Sequence, residues 1–329
     1  DLDQHPIVGS HDVVTWRADM MIAAGPNFKA ALCRRGDVVI PCDRSAIEAP
    51  DATVIDADSR GETTVMLLQS HETTIAVQWQ RTAPWSYIRL PMLATKLRAT
   101  GMRRIMILDI GLLVFHGGTW YLIERGGNSV VTIQVPHNVA ETPGWGPVAD
   151  VCVTGPNAFI VACDAGEWGG GLYHARISND GRLALSLIDE RSFMRVKKLG
   201  SGSYLAVGSM WHMRNCADTY MRSIAGDLST SIEIPIDSND RLCRVFDVRV
   251  EGNTAFLVTE RRGVVAMTLA PSVHGVSASI QDVVSFRGEV LTKEVCDAAF
   301  DNSGGIAFAT RTRGLIWLQS YRVPFALKL

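Results

Sequence analysis

Five aspartates recur at the start of similar apolar phrases, and they are the residues best suited to chemistry. Asp150 opens Asp-Val-Cys-Val-Thr-Gly, and Asp247 opens Asp-Val-Arg-Val-Glu-Gly. The predicted positions are Asp19, Asp109, Asp150, Asp247 and Asp297, with Asp56 as a weaker sixth. Gathered together, such carboxylates could bind a hard cation such as Ca²⁺, which takes six to eight oxygens. The alternative is structural, because buried carboxylates survive chiefly by accepting hydrogen bonds, here from the backbone of the neighbouring repeat.

Short polar segments form a second candidate site. Several combine Arg or Glu with a following Gly, as in Glu260-Arg261-Arg262-Gly263. We predict that they are the loops between the second and third strands of each repeat and that they share one binding face. Its predicted residues are Arg34, Arg35, Glu124, Arg125, Trp168, Trp211, His212, Glu260, Arg261, Arg262, Arg311 and Arg313. Arg and Trp are over-represented at binding hot spots, although polar loops can also be simple solvated turns.

Common catalytic and cofactor motifs are absent from the sequence. It contains no Gly-x-Ser-x-Gly elbow, no P-loop and no dinucleotide fingerprint. His212 and Cys216 are four residues apart, but no second ligand pair accompanies them. The sequence therefore predicts no catalytic residue and no cofactor beyond the divalent cation considered above.

The composition narrows the classes of partner. A net charge of −2 gives no basic field for a nucleic acid. No apolar stretch reaches the roughly 18 residues of a membrane-spanning helix. The seven cysteines form no Cys-x-x-Cys motif, which favours reduced thiols packed in strands. We expect a protein partner, recognised through the polar loops described above.

The candidate residues lie in copies of one repeated pattern. An apolar run is followed by a Gly/Asn/Pro cluster, a second apolar run, and a polar loop that ends in Gly. This order predicts a strand, a tight turn, a second strand and a loop to a third strand. The predicted anchors of the second strands are Phe28, Met66, Trp120, Phe159, Tyr204, Phe256 and Phe308.

Units of this size cannot bury their faces alone, and radial stacking buries them. We therefore predict an all-β chain that forms a single β-propeller domain over residues 1–329, with four-stranded antiparallel blades. Seven blades are expected, with six as the alternative. Residues 90–104 are predicted to be an insertion between blades. An N-terminal strand, represented by residues 11–16, is expected to close the ring in the last blade beside residues 314–319, in competition with the tail 321–329.

The units that begin at Asp109, Asp150, Asp247 and Asp297 resemble the propeller repeats named after their LVIVD signature. The shared frame is Asp-Val-x-Val-x-Gly, then Ala-Phe, then a Gly followed by two apolar residues. The resemblance covers about 60% of the chain, and the Asp that closes the third strand in those repeats is missing here. It implies a propeller that serves in interaction or binding, and it implies no catalytic activity.

Three functions follow from these features. The first is a non-enzymatic binding or scaffold propeller that recognises a protein partner through the Arg/Glu/Trp face. The second is a metal-dependent hydrolase or lactonase that holds a cation at the mouth of the central channel with the repeated aspartates. The third is a carbohydrate-binding propeller that stacks sugars on Trp145, Trp168 and Trp211.

Overall fold

The architecture is known from a computed structural model. It describes residues 2–5, 13–17, 20–24, 31–34, 39–41, 53–60, 63–69, 74–80, 83–89, 104–116, 119–124, 130–133, 148–165, 169–178, 180–200, 202–212, 215–236, 242–272, 275–286, 295–300, 305–310, 314–318 and 325–327. All regular secondary structure among these residues is β-strand. In the same residues, no helix has the length and apolar character needed to cross a membrane.

The described residues form 29 strands. They are β1 (Leu2–His5), β2 (Val13–Arg17), β3 (Met20–Ala24), β4 (Ala31–Arg34), β5 (Val39–Pro41), β6 (Thr53–Arg60), β7 (Thr63–Gln69), β8 (Thr74–Gln80), β9 (Ala83–Arg89), β10 (Arg104–Leu108), β11 (Gly111–His116), β12 (Thr119–Glu124), β13 (Val130–Ile133), β14 (Val148–Gly155), β15 (Ala158–Asp164), β16 (Gly170–Ile177), β17 (Leu183–Asp189), β18 (Phe193–Lys198), β19 (Tyr204–His212), β20 (Asn215–Ile224), β21 (Ser231–Ile234), β22 (Val245–Glu251), β23 (Thr254–Thr259), β24 (Gly263–Ser272), β25 (Gly275–Phe286), β26 (Val295–Phe300), β27 (Ile306–Thr310), β28 (Gly314–Leu318) and β29 (Phe325–Leu327).

The chain divides into two compact units. Unit 1 comprises Asp1–Ile133 with Lys293–Ser320, and unit 2 comprises Gln134–Thr292 with Tyr321–Leu329. The described strands of unit 1 form four sheets, in the orders β2-β3-β4-β5, β6-β7-β8-β9, β10-β11-β12-β13 and β26-β27-β28-β1. Those of unit 2 form three sheets, β14-β15-β16-β17, β18-β19-β20-β21 and β22-β23-β24-β25-β29. The prediction of four-stranded antiparallel sheets is confirmed for six of these sheets, and the seventh has a fifth strand, β29, among the described residues. The seven-bladed ring and the single domain stay predictions.

Apolar side chains on facing sheets form the core. Ile160 of β15 and Leu172 of β16 pack with Phe193 of β18 and Tyr204 of β19, and all four are buried. Both faces of β15 are covered, since every residue from Ala158 to Cys163 is buried, which explains why its sequence is a continuous apolar run. The first strands of neighbouring sheets lie side by side, as β14, β18 and β22 do within unit 2.

The two ends of the chain pair differently from the expectation. An N-terminal strand does lie beside β28, but it is β1, with Leu2 opposite Leu318. The proposal for residues 11–16 was wrong, because Val13–Arg17 forms the first strand of its own sheet. The tail instead adds β29 parallel to β25, with Phe325 opposite Val284. Most of the predicted insertion, residues 90–103, lies outside the described residues, and Arg104 already begins β10.

Candidate functional site

A β-bulge interrupts the first strand of five sheets at the same place. The register shifts between Val148 and Asp150 in β14, and between Val245 and Asp247 in β22. The other shifts are Val54/Asp56 in β6, Phe193/Arg195 in β18 and Val295/Asp297 in β26. A bulge re-aims the side chain that follows it. The repeated aspartates therefore share one structural position, which in β18 is occupied by Arg195.

An aspartate at this position accepts a hydrogen bond from the next sheet. Oδ2 of Asp150 accepts the backbone N–H of Val196 in β18 at 3.0 Å, and Oδ1 accepts the N–H of Val151 at 3.0 Å. In unit 1, Oδ2 of Asp56 accepts the N–H of Ile105 in β10 at 2.9 Å. Both carboxylates are buried. For these two residues, the structural alternative of a carboxylate bonded to the neighbouring backbone is confirmed.

At the same position in β18, Arg195 donates hydrogen bonds instead of accepting them. Its guanidinium donates to the carbonyl oxygen of Phe246 in β22, to that of Ala149 in β14 at 3.4 Å, and to that of Met194 at 2.8 Å. Each of these carbonyls belongs to the residue directly before the repeated position. Because arginine carries five N–H donors in a planar fork, it can bridge several acceptors at once. One side chain thereby joins the first strands of the three sheets of unit 2.

Asp247 has a cationic partner instead. Its Oδ1 lies 2.9 Å from Nζ of Lys197 in β18, and both side chains are largely buried. Among the described residues, no three His, Cys, Asp or Glu side chains are grouped closely enough to hold a metal ion. The described carboxylates at the repeated position are thus engaged by backbone N–H groups or by an ammonium group. The side chain of Asp297 lies outside the described residues.

Asp109 does not share the repeated position. With Ile110 it forms the turn between β10 and β11, in which Leu108 pairs with Gly111. It therefore lies at the opposite end of its sheet from the start of β10. The prediction was wrong because the phrase that starts at Asp109 contains the second strand and not the first. Asp19, between β2 and β3, lies outside the described residues.

The repeated position in β10 is Arg104. The N–H of Ile105 bonds Asp56 in the same way that the N–H of Val196 bonds Asp150. The residue that precedes the donor is therefore an arginine in both strands. The sequence signal is Arg-Ile-Met-Ile at 104–107 beside Arg-Val-Lys-Lys at 195–198, which a search for aspartates alone could not find.

The turn at Glu260 lies where it was predicted, between the second and third strands of its sheet. The buried hydroxyl of Thr259 accepts the N–H of Arg262 at 3.2 Å and donates to the carbonyl of Gly263 at 3.1 Å. Gly263 has a φ of 85°, a conformation that glycine adopts without a steric penalty. The N–H of Glu260 donates to the carbonyl of Arg244 at 2.8 Å, so the turn is fixed to the segment that precedes β22.

The charged side chains of this turn differ in their environment. Nε of Arg262 forms an ion pair of 2.7 Å with Asp282. Arg261 is exposed, whereas Glu260 is half-buried. Burial raises the pKa of the Glu260 carboxyl, and the nearby Arg244 and Arg261 offset part of that rise. Arg261 therefore offers a cation to solvent, while Arg262 is held within its own sheet.

The segment before β22 connects this turn to the neighbouring sheet. The N–H of Leu242 donates to Oγ1 of the buried Thr219 in β20 at 3.0 Å. Cys243 is buried and has a φ of 58°, which is uncommon for a residue with a Cβ. Arg244 then emerges into solvent, and Met210 of β19 is 44% exposed. The corresponding ends of two neighbouring sheets thus present exposed cations on one sheet and an exposed apolar side chain on the other.

A buried polar network supports the same end of the sheets that begin with β14 and β18. The hydroxyl of Ser192 donates to Oδ1 of Asp164, and the carbonyl of Ser192 accepts the hydroxyl of Tyr220. The guanidinium of Arg191 lies 4.5 Å from the centre of the Tyr220 ring and forms an ion pair of 2.9 Å with Asp189. Such a network fixes the backbone from which the loops project.

Two residues of the predicted face, Arg34 and Glu124, lie at the other end of their sheets. Arg34 ends β4 and Glu124 ends β12, and both strands are the third of their sheets. Arg35 and Arg125 follow them in the sequence and lie outside the described residues. In an antiparallel sheet, the turn after the third strand lies at the opposite end from the loop between the second and third strands. The predicted loop position was therefore wrong for Arg34 and Glu124.

Trp168, Arg311 and Arg313 lie outside the described residues, as does Trp145. Trp211 and His212 end β19, where they pair with Cys216 and Asn215, and only their backbone is described.

Similarity to solved structures shows the fold of the chain. No protein-family profile matches the chain, and no curated protein matches it. Among solved structures, it is similar to YCF48 bound to a D1 peptide, with 10% identity over 97% of this chain and 94% of the other and a TM-score of 0.59. It is also similar to the WD40 β-propeller domain of Doa1, with 10% identity over 97% and 96% of the chains and a TM-score of 0.57. The chain has the β-propeller fold. The likeness to LVIVD repeats stays a prediction.

An enzyme also contains a similar propeller. An ancestral GH74 enzyme is 12% identical, with a TM-score of 0.62, and the match covers 94% of this chain but 47% of the enzyme. At these identities the comparisons show the fold alone. Each sheet of the two units can now be called a blade.

Proposed function

We propose that this propeller binds a protein partner through the end of unit 2 at which Arg244, Arg261 and Met210 are exposed. The observation that carries the proposal is the pair of exposed arginines near the half-buried Glu260, with an exposed Met at the same end of the neighbouring blade. Arginine forks suit carboxylates, and Met adapts to varied apolar partners. The partner segment is expected to be acidic and to carry an apolar side chain.

Rigid support favours this end as a binding surface. The turn at Glu260, the segment at Arg244 and the strand end at Thr219 are fixed by backbone and hydroxyl hydrogen bonds. The left-handed backbone of Cys243 stores strain directly before Arg244, and such strain clusters at functional sites. The similar structure of YCF48 holds a D1 peptide, which supports a peptide-binding role for a propeller of this kind.

The two alternatives have less support. A metal-dependent hydrolase would need open carboxylates, yet Asp56, Asp150 and Asp247 are each bonded to a group of a neighbouring blade. The carbohydrate-binding hypothesis depends on tryptophans that lie outside the described residues or are described only by their backbone.

Binding of defined peptides tests the proposal. Fluorescent twelve-residue peptides that carry Asp or Glu around one Leu would be compared by anisotropy with a Lys-rich series of equal length. We expect the acidic series to bind and its affinity to fall as NaCl shortens the range of electrostatic attraction. Arg261→Glu should weaken binding about tenfold or more, which corresponds to roughly 1.4 kcal/mol.

Lys198→Glu is the matched control. Lys198 is exposed at the last position of β18, at the opposite end of the blade, and the charge change is the same. It should leave the affinity unchanged. Equal binding of both peptide series, or equal losses in the two variants, would contradict the proposed surface.

A further inference from the structure

A cleft of about 630 Å³ lies between the first two blades of unit 2. Its walls are the hairpin from Thr154 to Ala158, the end of β16 and the turn at residues 226–228 of the next blade. The hairpin joins a first strand to a second strand. The cleft is therefore at the opposite end of the blades from the turn that holds Glu260. Its volume is in the range of small-molecule sites.

Three residues that line this cleft each carry a buried polar side-chain atom with no hydrogen-bond partner among the described residues. These atoms are Oγ1 of Thr154, Oδ1 of Asn157 and Nε2 of His174. A buried polar atom without a partner costs about 1–3 kcal/mol, so such atoms are rare unless water or a ligand satisfies them. Their concentration in one cleft points to an occupant.

The backbone around these atoms is fully organised. The N–H of Ile177 donates to the carbonyl of Asn157 at 2.9 Å, which holds the hairpin against β16. In the opposite wall, the N–H of Leu228 donates to the carbonyl of Ala225 at 2.9 Å. Leu228 has a φ of 64°, an outlier for a bulky residue, and its side chain packs on the core shared by the two blades. The cleft is thus preformed rather than a gap left by a loose turn.

The charges around the cleft balance one another. Arg176 and Asp227 both line it and both are exposed. Burial, and to a smaller extent Arg176, lowers the pKa of His174, so its imidazole is neutral at neutral pH. An anion would be repelled by the carboxylate of Asp227 and by the side-chain oxygen Oδ1 of Asn157. A cation would be repelled by the guanidinium of Arg176. The complementary ligand is therefore neutral.

We propose that this cleft binds a neutral polyhydroxylated small molecule of the size of a monosaccharide. Hydroxyl groups donate to Oδ1 of Asn157 and complement the hydroxyl of Thr154 and the neutral imidazole of His174. The same hydroxyl groups accept from Arg176 and donate to Asp227. Pro156 and Leu228 supply apolar wall for the C–H faces of such a ligand.

Ligand-observed NMR with a panel of monosaccharides and polyols, followed by calorimetry, tests this assignment. The full chain should bind at least one member with 1:1 stoichiometry and a Kd of about 1 mM or tighter. Asn157→Ala should weaken that binding at least tenfold. Thr154→Val, which keeps the side-chain shape, should weaken it while leaving the unliganded protein at least as stable, because it removes an unsatisfied buried hydroxyl.

Ser186→Ala is the control. Ser186 pairs with His174 across β16 and β17, yet it is exposed and does not line the cleft. It should not change binding. Failure of every sugar and polyol to bind would overturn the proposal, as would preferential binding of free amino acids or inorganic phosphate in the same experiment. The acidic peptides are expected to bind at the opposite end of the blades from the cleft. The peptide-binding proposal and the cleft proposal can therefore fail independently.

Discussion

The carboxylate of Asp150 accepts the backbone N–H of Val196 across the boundary between two blades, at 3.0 Å. The same contact joins Asp56 to Ile105 in the other unit. In this chain the repeated acidic position therefore links one blade to the next. That role accounts for the recurrence of Asp without requiring a metal ion.

Removal of this link should destabilise the fold. Asp150→Ala leaves the N–H of Val196 buried without its acceptor, which should lower the free energy of unfolding by about 1–3 kcal/mol in urea titrations. The matched control is Asp218→Ala. Among the described residues, Asp218 accepts a hydrogen bond only from the N–H of the residue that follows it, at 2.8 Å, and it is exposed. A loss in Asp150→Ala no larger than that of the control would show that the contact between blades contributes nothing.

Replacement of Arg195 by aspartate, the residue at the equivalent position of other blades, should destabilise the fold. Arg195→Asp restores the aspartate of the other blades but removes the donor to the carbonyls of Ala149 and Phe246. We expect both Arg195→Asp and Arg195→Met to cost at least about 2 kcal/mol, because hydrogen bonds from a charged group are lost.

The control for this pair is Arg249→Met. Arg249 is comparably buried and forms an ion pair of 2.8 Å with Glu251 on its own strand, so its removal should cost less. Thermal and urea unfolding of the variants would measure the differences. An Arg195→Asp variant as stable as the native chain would contradict the bridging role.

The part of the structure that local patterns determine could be predicted from the sequence. Apolar runs separated by turn residues predicted the four-stranded sheets, and the recurrence of Asp150 and Asp247 predicted equivalent positions. The assignments failed where two strands have similar apolar character. The sequence predicts Asp109 at the start of a first strand and Glu124 in the loop after a second strand, whereas Asp109 lies in a turn and Glu124 ends a third strand. Composition does not show which of two adjacent apolar runs comes first within a blade.

The features that the sequence did not predict depend on contacts between blades. Arg195 performs the linking role of an aspartate with the opposite charge, so a search for one residue type could not identify it. Thr154 and His174 occur in a hairpin and a strand with no local motif, and the facing turn at Leu228 creates their cleft. Such groupings arise from packing between distant segments, which spacing along the chain does not encode.

Gly170 should not tolerate even one added methyl group. A Cβ there would lie 2.5 Å from the carbonyl oxygen of Cys163 and 2.5 Å from Cα of Ser192 in the segment before the next blade. Since both are backbone atoms, Gly170→Ala should force the blades apart and cost about 1–3 kcal/mol. Gly200→Ala, where an added Cβ meets nothing within 4 Å, should change the unfolding midpoint little. Equal stability of the two variants would show that the blades can separate freely here.

Glu260 should make the free energy of unfolding depend on pH. Burial raises the pKa of its carboxyl, so the folded chain holds this proton more tightly than the unfolded chain does. Its contribution to stability is therefore highest below the ordinary glutamate pKa and is lost as the pH rises through the raised value. Glu260→Gln removes this dependence, so the variant should be more stable than the native chain at pH 7 and similar to it near pH 4. Urea unfolding of both proteins across that interval measures the difference, and a difference that is constant with pH would exclude an elevated pKa at Glu260.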